Sequence, residues 1–426
     1  MHETHVHCDV LVVGAGPAGI AAAVAARQAN KQVLVVDDNP SPGGQIWRGY
    51  SGDHAPSIAR TWLLRFAESG ARLLAGTRVV ASLGTGKLLA EDSDGALHIS
   101  YSAMVLATGA REMLLPFPGW TLPGVMGAGG LQAMVKSGLP LHGKRVVVAG
   151  TGPLLLAVAA AFVEEGAIVP GVFEQASLAS TASFAASLLT RPSLLAQAAG
   201  YLSKIRPWRY RQGWWPLRAN GDTALQSVVL TNGTRTLEIP CDYLACGFHL
   251  MPNTELGAVL GCRIESGAIV ANEQQQTSVA NIFTAGEAAG VAGLPLALLE
   301  GQIAGAHAAG TGEHAQPLLP RRTSLRQTAA GMNHAYRLRA ELRALPDEDT
   351  LICRCEDVSW KQLKAFGSMR SAKIHTRCGM GPCQGRICGA ALQFLAGWEP
   401  DAPRPPIYPV QLSTLLLTAA HQEESV

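Results

Sequence analysis

Charge is what this sequence has least of. Among 426 residues there are 34 Lys and Arg and 32 Asp and Glu, 15% in all, against roughly 25% in an average soluble protein. The net charge of +2 gives no global electrostatic basis for binding nucleic acid. Long apolar runs are missing too. The longest contenders are Leu154–Val163 and Ala288–Leu299, both short of the ~18–20 residues of a membrane span. No basic-then-apolar leader precedes Cys8, so the chain reads as cytoplasmic, at most peripheral to the inner membrane. No C-x-x-C pair occurs, which removes the usual dithiol of disulfide exchange. A chain of this length buries a large core yet still needs a polar skin. The shortage of charge therefore means that much surface lies inside the chain or that partners cover part of it.

Two glycine turns stand out, each between an apolar strand and a small-residue helix. Asp9–Val13 reads as a strand buried on both faces. GAGPAG (Gly14–Gly19) follows, then an Ala-rich helix to about Asn30 and a second strand, Gln32–Val36, ending at Asp37 and Asp38. Gly14 permits a tight turn, Gly16 a close approach of phosphates, and Gly19 the packing of helix on strand. Backbone N–H groups and a helix N-terminus then face a pyrophosphate. Asp37 is placed to accept ribose hydroxyls, with Asp38 as the register alternative. The second turn has Arg145–Ala149 as strand, GTGP (Gly150–Pro153), and Leu154–Glu164 as helix. Leu155 stands where a third glycine is expected, and Glu174 is the ribose-side acid. No basic residue beside it awaits a 2′-phosphate, which disfavours NADP. NAD(H) binding and a scaffold that keeps only the architecture both remain open. Two such units predict two nucleotide-binding folds.

Between Gln175 and Leu217 the composition predicts helical excursions. Pro207–Trp215 mixes Arg with aromatics, as single-stranded nucleic-acid sites do, but one such stretch in a near-neutral chain reads better as core or interface. Strands resume at Ser227–Leu230, Tyr243–Ala245 and Asn281–Thr284. Thr311–Pro320 reads as a linker and Leu325–Leu345 as a connecting helix. From Leu351 the sequence turns cysteine-rich, then Pro-rich over Asp401–Pro409, the mark of a separate small domain.

Nine cysteines are unevenly placed. Cys8, Cys241, Cys246 and Cys262 are scattered, whereas Cys353, Cys355, Cys378, Cys383 and Cys388 fall close together. In a reducing compartment such a group points to metal or cluster binding. Cys353 with Cys355 and Cys378 with Cys383 give two thiolate pairs, as a 2Fe-2S rhomb requires. Gly379 and Gly381 allow a tight backbone that turns N–H groups to sulfur, and Arg354, Arg377 and Arg386 offset the negative charge. Structural zinc sites use C-x2–4-C spacing, which Cys353 and Cys355 do not. Cys388 reads as an extra cysteine on the following helix, with an exchange between Cys378 and Cys388 left open. Cys241 and Cys246 read as buried free thiols, and His375 as a solvated loop residue.

Val105–Ala110 and Asn281–Glu287 resemble the later FAD segments of two-dinucleotide flavoproteins, with Glu287 where that family usually carries Asp. By that likeness Leu296–Gly305 is the helix whose N-terminus faces the flavin, and Gln45 of Gly43–Arg48 stands where a flavin-facing thiol might be expected. The CRCE at Cys353 and TRCGMGPCQGR from Thr376 resemble the 2Fe-2S domain of bacterioferritin-associated ferredoxin. Fused behind an FAD domain, they resemble the alpha subunit of heteromeric amino-acid and amine dehydrogenases, including opine oxidase, hydrogen cyanide synthase and D-hydroxyproline dehydrogenase. The resemblance implies an α/β fold with two Rossmann-like dinucleotide-binding domains and a small C-terminal 2Fe-2S domain. The expected segments are 1–115 and 275–310 for FAD, 116–274 for the second nucleotide fold, 311–349 for the connector and 350–426 for the cluster.

It further implies FAD at Gly14, Gly16, Pro17, Ala18, Gly19, Asp37, Asp38, Gly44, Gln45, Arg48, Val79, Ala107, Thr108, Gly109, Gly286 and Glu287. The cluster ligands are Cys353, Cys355, Cys378 and Cys383. The implied partner is a D-amino-acid-oxidase-like flavoprotein beta subunit that oxidises the C–N bond, with FMN at the interface and a small third subunit in some members. No residue of this chain stands out as a catalytic base. Two other readings compete: an NADH-dependent flavin and 2Fe-2S reductase, and a nucleotide-sensing scaffold with a zinc knuckle.

Overall fold

Thr4–Val13 is the central strand of the first of two units in the computed structural model, which describes residues 4–49 and 56–416. This unit takes the chain up to Arg111, Met251–Ala329, and the part from Ala402 onward. Its sheet runs Arg72–Ala75, Val33–Asp37, Thr4–Val13, Ala96–Leu106, then antiparallel Lys87–Glu91 and Arg78–Ser82. Ile282–Thr284 pairs in parallel with the C-terminal end of Ala96–Leu106.

One face of this sheet is covered by the helices Pro17–Gln28, Ser57–Glu68 and Leu294–Ala308. Small residues set the closeness of the packing. A β-carbon on Gly301 would lie 2.2 Å from the Ala18 carbonyl oxygen, and one on Gly305 equally near that of Ala22. Two helices faced with alanine and glycine bury their surfaces without using charge, which accounts for part of the compositional shortage.

The return to this unit begins at Met251 rather than at 275, and the Pro-rich stretch after 401 belongs here rather than with the cysteines. Hydrogen bonds hold that stretch. The Ile407 N–H donates to the Val80 carbonyl at 2.9 Å, and the Gln411 N–H and Thr414 hydroxyl donate to Glu91 Oε2 at 2.9 and 2.6 Å.

The second unit contains Glu112–Leu250 and Ala330–Asp401. Its largest sheet has five strands, all parallel, in the order Tyr210–Gln212, Val172–Glu174, Val146–Gly150, Tyr243–Gly247, Val125–Gly127. The helix Leu154–Glu164 has the bounds that the sequence predicts. Leu178–Ser187 and Pro192–Ile205 are the expected helical excursions, after which Trp215–Asn220 joins a three-stranded antiparallel sheet.

The cysteine-rich part has its own core, built from Ile352, Leu363, Met369, Leu392, Leu395 and Trp398 among others. A short hairpin, Leu351–Cys353 with Val358–Ser359, leads to helices Trp360–Leu363, Met369–Thr376 and Cys388–Ala396. A capping box between Ser359 and Gln362 starts the first, and the Ser368 side chain caps the second.

The connector departs from expectation. Its α-helix spans Leu319–Ala335, so it begins inside the expected linker and stops well before Leu345. The chain then runs through Tyr336–Arg339 to a short 3-10 turn at Ala340–Ala344. The helix ends there because Tyr336, Arg337 and Arg339 give backbone groups to side chains at the second glycine turn.

Candidate functional site

The first glycine turn is fixed by contacts that only glycine permits. Gly14 has φ +105°, and a β-carbon on it would lie 2.2 Å from the Ala107 carbonyl oxygen. A β-carbon on Gly19 would lie 1.8 Å from the Gly14 carbonyl oxygen. Gly16 has nothing nearer than 3.9 Å, where Gly44 Cα sits, so its missing side chain leaves room for a ligand rather than for the protein. Pro17 occupies the first position of the helix, where a missing N–H costs nothing.

Asp37 accepts the Ala15 N–H at 2.5 Å and both nitrogens of Asn39 at 2.7–2.8 Å. Asp38 accepts from Asn39 at 3.0 Å and faces Arg78 at 3.9 Å, and Arg48 donates to the Asn39 side chain. Burial, then the neighbouring Asp37, pushes the Asp38 carboxyl above its usual range. Gly44 packs against Gly16, Gln45 is exposed, and Val79 is buried in its strand. Thr108, after Ala107 and before Gly109, exchanges hydrogen bonds with Asn253, at 2.6 Å from its hydroxyl and 2.9 Å to its carbonyl.

Gly286 and Glu287 belong to the same unit. Glu287 Oε1 accepts the Gly293 N–H at 2.9 Å, while Oε2 is buried without a hydrogen-bond partner. Burial raises the Glu287 pKa. A buried acceptor lacking a donor is costly, and a ribityl or ribose hydroxyl of a bound flavin nucleotide would supply one. The glycine cradle and this orphaned oxygen both fit FAD.

Glu300 went unnoticed in the sequence. Its carboxylate, 1% exposed, meets Arg326 at 2.6 Å and Arg322 at 3.7 Å. It also accepts the Gly286 N–H at 3.2 Å, and Arg326 donates to the Ala289 carbonyl at 2.9 Å. This network holds the turn that carries Glu287. The only sequence signal was an acid inside an otherwise apolar helix.

At the second glycine turn Leu155 is fully buried and Glu174 has no solvent exposure. Glu174 Oε2 accepts the Gly152 N–H at 2.7 Å, and Oε1 accepts the Ala176 N–H at 2.8 Å. Burial outweighs these bonds and pushes the carboxyl up to about 7. The folded state therefore keeps its proton where an unfolded chain, at 4.5, has lost it. Stability from this group is full below pH 4.5, falls as pH rises to about 7, and then levels off. Glu174→Gln is expected to flatten that slope. The melting temperatures of variant and parent, measured from pH 5 to 8, check this, and parallel curves would refute it.

The cysteines converge. The sulfurs of Cys353, Cys378 and Cys388 all lie within 4.8 Å of one another and are buried, and those of Cys355 and Cys383 are 3.7 Å apart. The Gly379 N–H donates to Cys353 Sγ at 3.5 Å, and a β-carbon on Gly381 would lie 2.2 Å from Cys355 Cβ. The thiols thus form a buried trio that takes in Cys388 and a separate pair, and the four expected ligands are divided between the two. Cys388 is the first residue of helix Cys388–Ala396 and Cys378 follows helix Met369–Thr376; hydrogen bonds from these two thiols hold Cys353 below the usual thiol range and push their own up. Five thiols are a soft donor set suited to iron–sulfur or zinc, and the C-x-C spacing departs from structural zinc sites.

Around the cysteines, Arg377 is paired with Glu356 at 2.8 Å, Arg386 donates to Gln384 at 2.8 Å, and Arg354 is exposed. His375 is exposed as expected, but on a helix rather than a loop, stacked on Phe366. Arg354 also lines a cavity of about 210 Å³ with Leu114, Phe117, Trp120, Met126 and Phe248. No histidine or carboxylate is among its lining residues. Cys241 and Cys246 are buried, and burial raises both thiols, Cys241 to about 12. Neither is poised for redox exchange.

A family model described as pyridine nucleotide-disulphide oxidoreductase matches residues 8–205 and 208–312. The A subunit of opine oxidase from Rhizobium meliloti is 33% identical over 451 positions, covering 95% of this chain and 97% of that one. The HcnB subunit of hydrogen cyanide synthase from Pseudomonas protegens is 32% identical, covering 89% of each. Among solved structures, L-proline dehydrogenase from P. horikoshii superposes with a TM-score of 0.70 at 22% identity, over 97% of this chain and 80% of that one. That last likeness is one of fold.

Proposed function

Because the chain belongs to the pyridine nucleotide-disulphide oxidoreductase family, as a dehydrogenase subunit of the opine oxidase and hydrogen cyanide synthase type, we propose that it is the electron-transfer subunit of a heteromeric FAD-dependent dehydrogenase. The substrate class is an amino acid, imino acid or opine, oxidised at its C–N bond. Flavin-dependent oxidoreduction and FAD follow from the family; the heteromeric role, the 2Fe-2S cluster and an interfacial FMN are our reading.

A buried trio of thiols, Cys353, Cys378 and Cys388, and the Cys355–Cys383 pair, in a chain that also has an FAD cradle, carry the proposal. Bound FAD accepts electrons in pairs, and a 2Fe-2S centre passes them singly. The chain's own residues bind and orient: Gly14–Gly19 and the helix N-terminus at the pyrophosphate, Asp37 at the ribose side, Glu287 at the flavin nucleotide, and Cys353, Cys355, Cys383 with Cys378 or Cys388 at the iron. We assign the step that takes a proton from the amine to a partner, a D-amino-acid-oxidase-like flavoprotein. Leu178, Leu189 and Trp208, in three short elements between residues 178 and 209, are 66–73% exposed, side chains suited to cover by another subunit.

Purified alone, the chain is expected to contain FAD and iron and to leave amino acids untouched. Co-purified with its flavoprotein partner, it should reduce an artificial dye in their presence. Rapid amine oxidation by the isolated chain would overturn the proposal, as would zinc in place of iron.

A further inference from the structure

The second glycine turn has the strand, helix and acid of a dinucleotide site, but the chain itself already holds the polar atoms that a ribose would meet. An acid at this position serves a dinucleotide by accepting ribose hydroxyls. Glu174 accepts from Gly152 and Ala176 as Asp37 does from Ala15 and Asn39; what sets the second turn apart is Thr151, whose hydroxyl lies 3.0 Å from Glu174 Oε1. The same hydroxyl lies 3.0 Å from the Tyr336 carbonyl. Gln175 Nε2 donates to Thr151 Oγ1 at 2.9 Å and to the Arg337 carbonyl at 3.2 Å. In return the Arg339 N–H donates to Gln175 Oε1 at 3.1 Å, and its guanidinium donates to the Gln175 carbonyl at 3.3 Å. Thr151 has one proton for two acceptors, so a neutral Glu174 that donates to it completes the set.

Two side chains pin the segment. The Tyr336 ring is buried edge-on against Phe184, 5.8 Å between centroids, and Arg339 lies over Trp215 at 4.4 Å. The contacts surround Glu174 on both sides, at Thr151 and Gln175. Leu155 adds to the obstruction, since its side chain is buried where the third glycine of such a turn lets the helix approach its strand.

We propose that the second fold has exchanged its dinucleotide for residues 336–339. It binds no nicotinamide nucleotide and instead anchors the segment leading into the cysteine-bearing part of the same unit. Electrons then neither enter nor leave through NAD(H), whichever substrate or partner the chain serves.

The test uses the full chain, with NADH as probe. Titration followed by tryptophan quenching and calorimetry should give no saturable binding up to about 1 mM, a limit of roughly 4 kcal/mol. Hydrogen exchange should show no NADH-dependent protection of residues 150–153. A Gln175→Ala, Arg339→Ala variant should raise amide exchange across 336–345 by about tenfold or more, with exchange in 4–49 unchanged. Saturable NADH binding that protects 150–153 in the parent chain would overturn the inference, and so would unaltered exchange of 336–345 in the variant. These readouts need neither iron nor a partner, so a failure here is distinct from a failure of the electron-transfer reading.

Discussion

Gly19→Ala is expected to give a chain that folds its second unit but no longer retains FAD. The new methyl would sit 1.8 Å from the Gly14 carbonyl oxygen and 3.3 Å from the Val12 side chain. Gly14 cannot retreat, because its own backbone is pressed against Ala107 in a conformation with φ +105°. The helix Pro17–Gln28 must therefore move off its strand, carrying the amides of the turn away from the pyrophosphate. A loss of FAD affinity on the order of a hundredfold, about 3 kcal/mol, follows from misplacing those donors.

Gly16→Ala supplies the contrast. Nothing lies within 3.9 Å of its added carbon, so the apoprotein should melt as the parent does while FAD is still lost to a clash with the ligand alone. Flavin released per chain on denaturation, read beside the melting curve of each variant, separates the two causes. Full flavin content in Gly19→Ala would refute the account.

Cys383→Ala should abolish iron binding and leave flavin in place. Cys355 and Cys383 stand 3.7 Å apart as a pair at the exposed side of the group. Iron is expected to fall from about two atoms per chain to background, and the FAD, once reduced, should no longer pass electrons to a one-electron acceptor. Cys378→Ala and Cys388→Ala, whose sulfurs lie together beside that of Cys353, should each lower the iron content. Metal analysis with the visible spectrum of each variant decides; iron at parental level in Cys383→Ala would remove the cluster from the proposal.

Much of the site was legible because its requirements are local. Gly14, Gly16 and Gly19 follow one another within a single turn, where sterics dictate glycine whatever the rest of the chain does. The parallel strands near Val12, Val35 and Val147 were legible as short continuous apolar runs, and Leu154–Glu164 as an uninterrupted helical one, whereas Tyr210–Gln212 was not. The Leu325–Leu345 reading failed for the opposite reason. Its helical spacing is real through Ala335, but the next four residues find hydrogen bonds at Thr151 and Gln175, more than 160 positions away. Local propensity lost to distant partners.

Cys388 and Glu300 teach the same lesson. Spacing counted Cys388 as spare, and only folding brings its sulfur to Cys353 and Cys378. Glu300 lies in an apolar helix and gains meaning from Arg322 and Arg326.

The sequence by itself determined two nucleotide folds, a glycine turn at the head of each and a set of soft donors, since turn geometry, strand period and thiol chemistry are properties of neighbouring residues. Tertiary structure alone decided which polar groups each fold leaves open. It left Glu287 Oε2 without a partner in the first and bonded Thr151 and Gln175 of the second to the distant residues 336–339. Hydrogen-bond satisfaction is counted over all groups that meet in space, and no window along the chain contains that count.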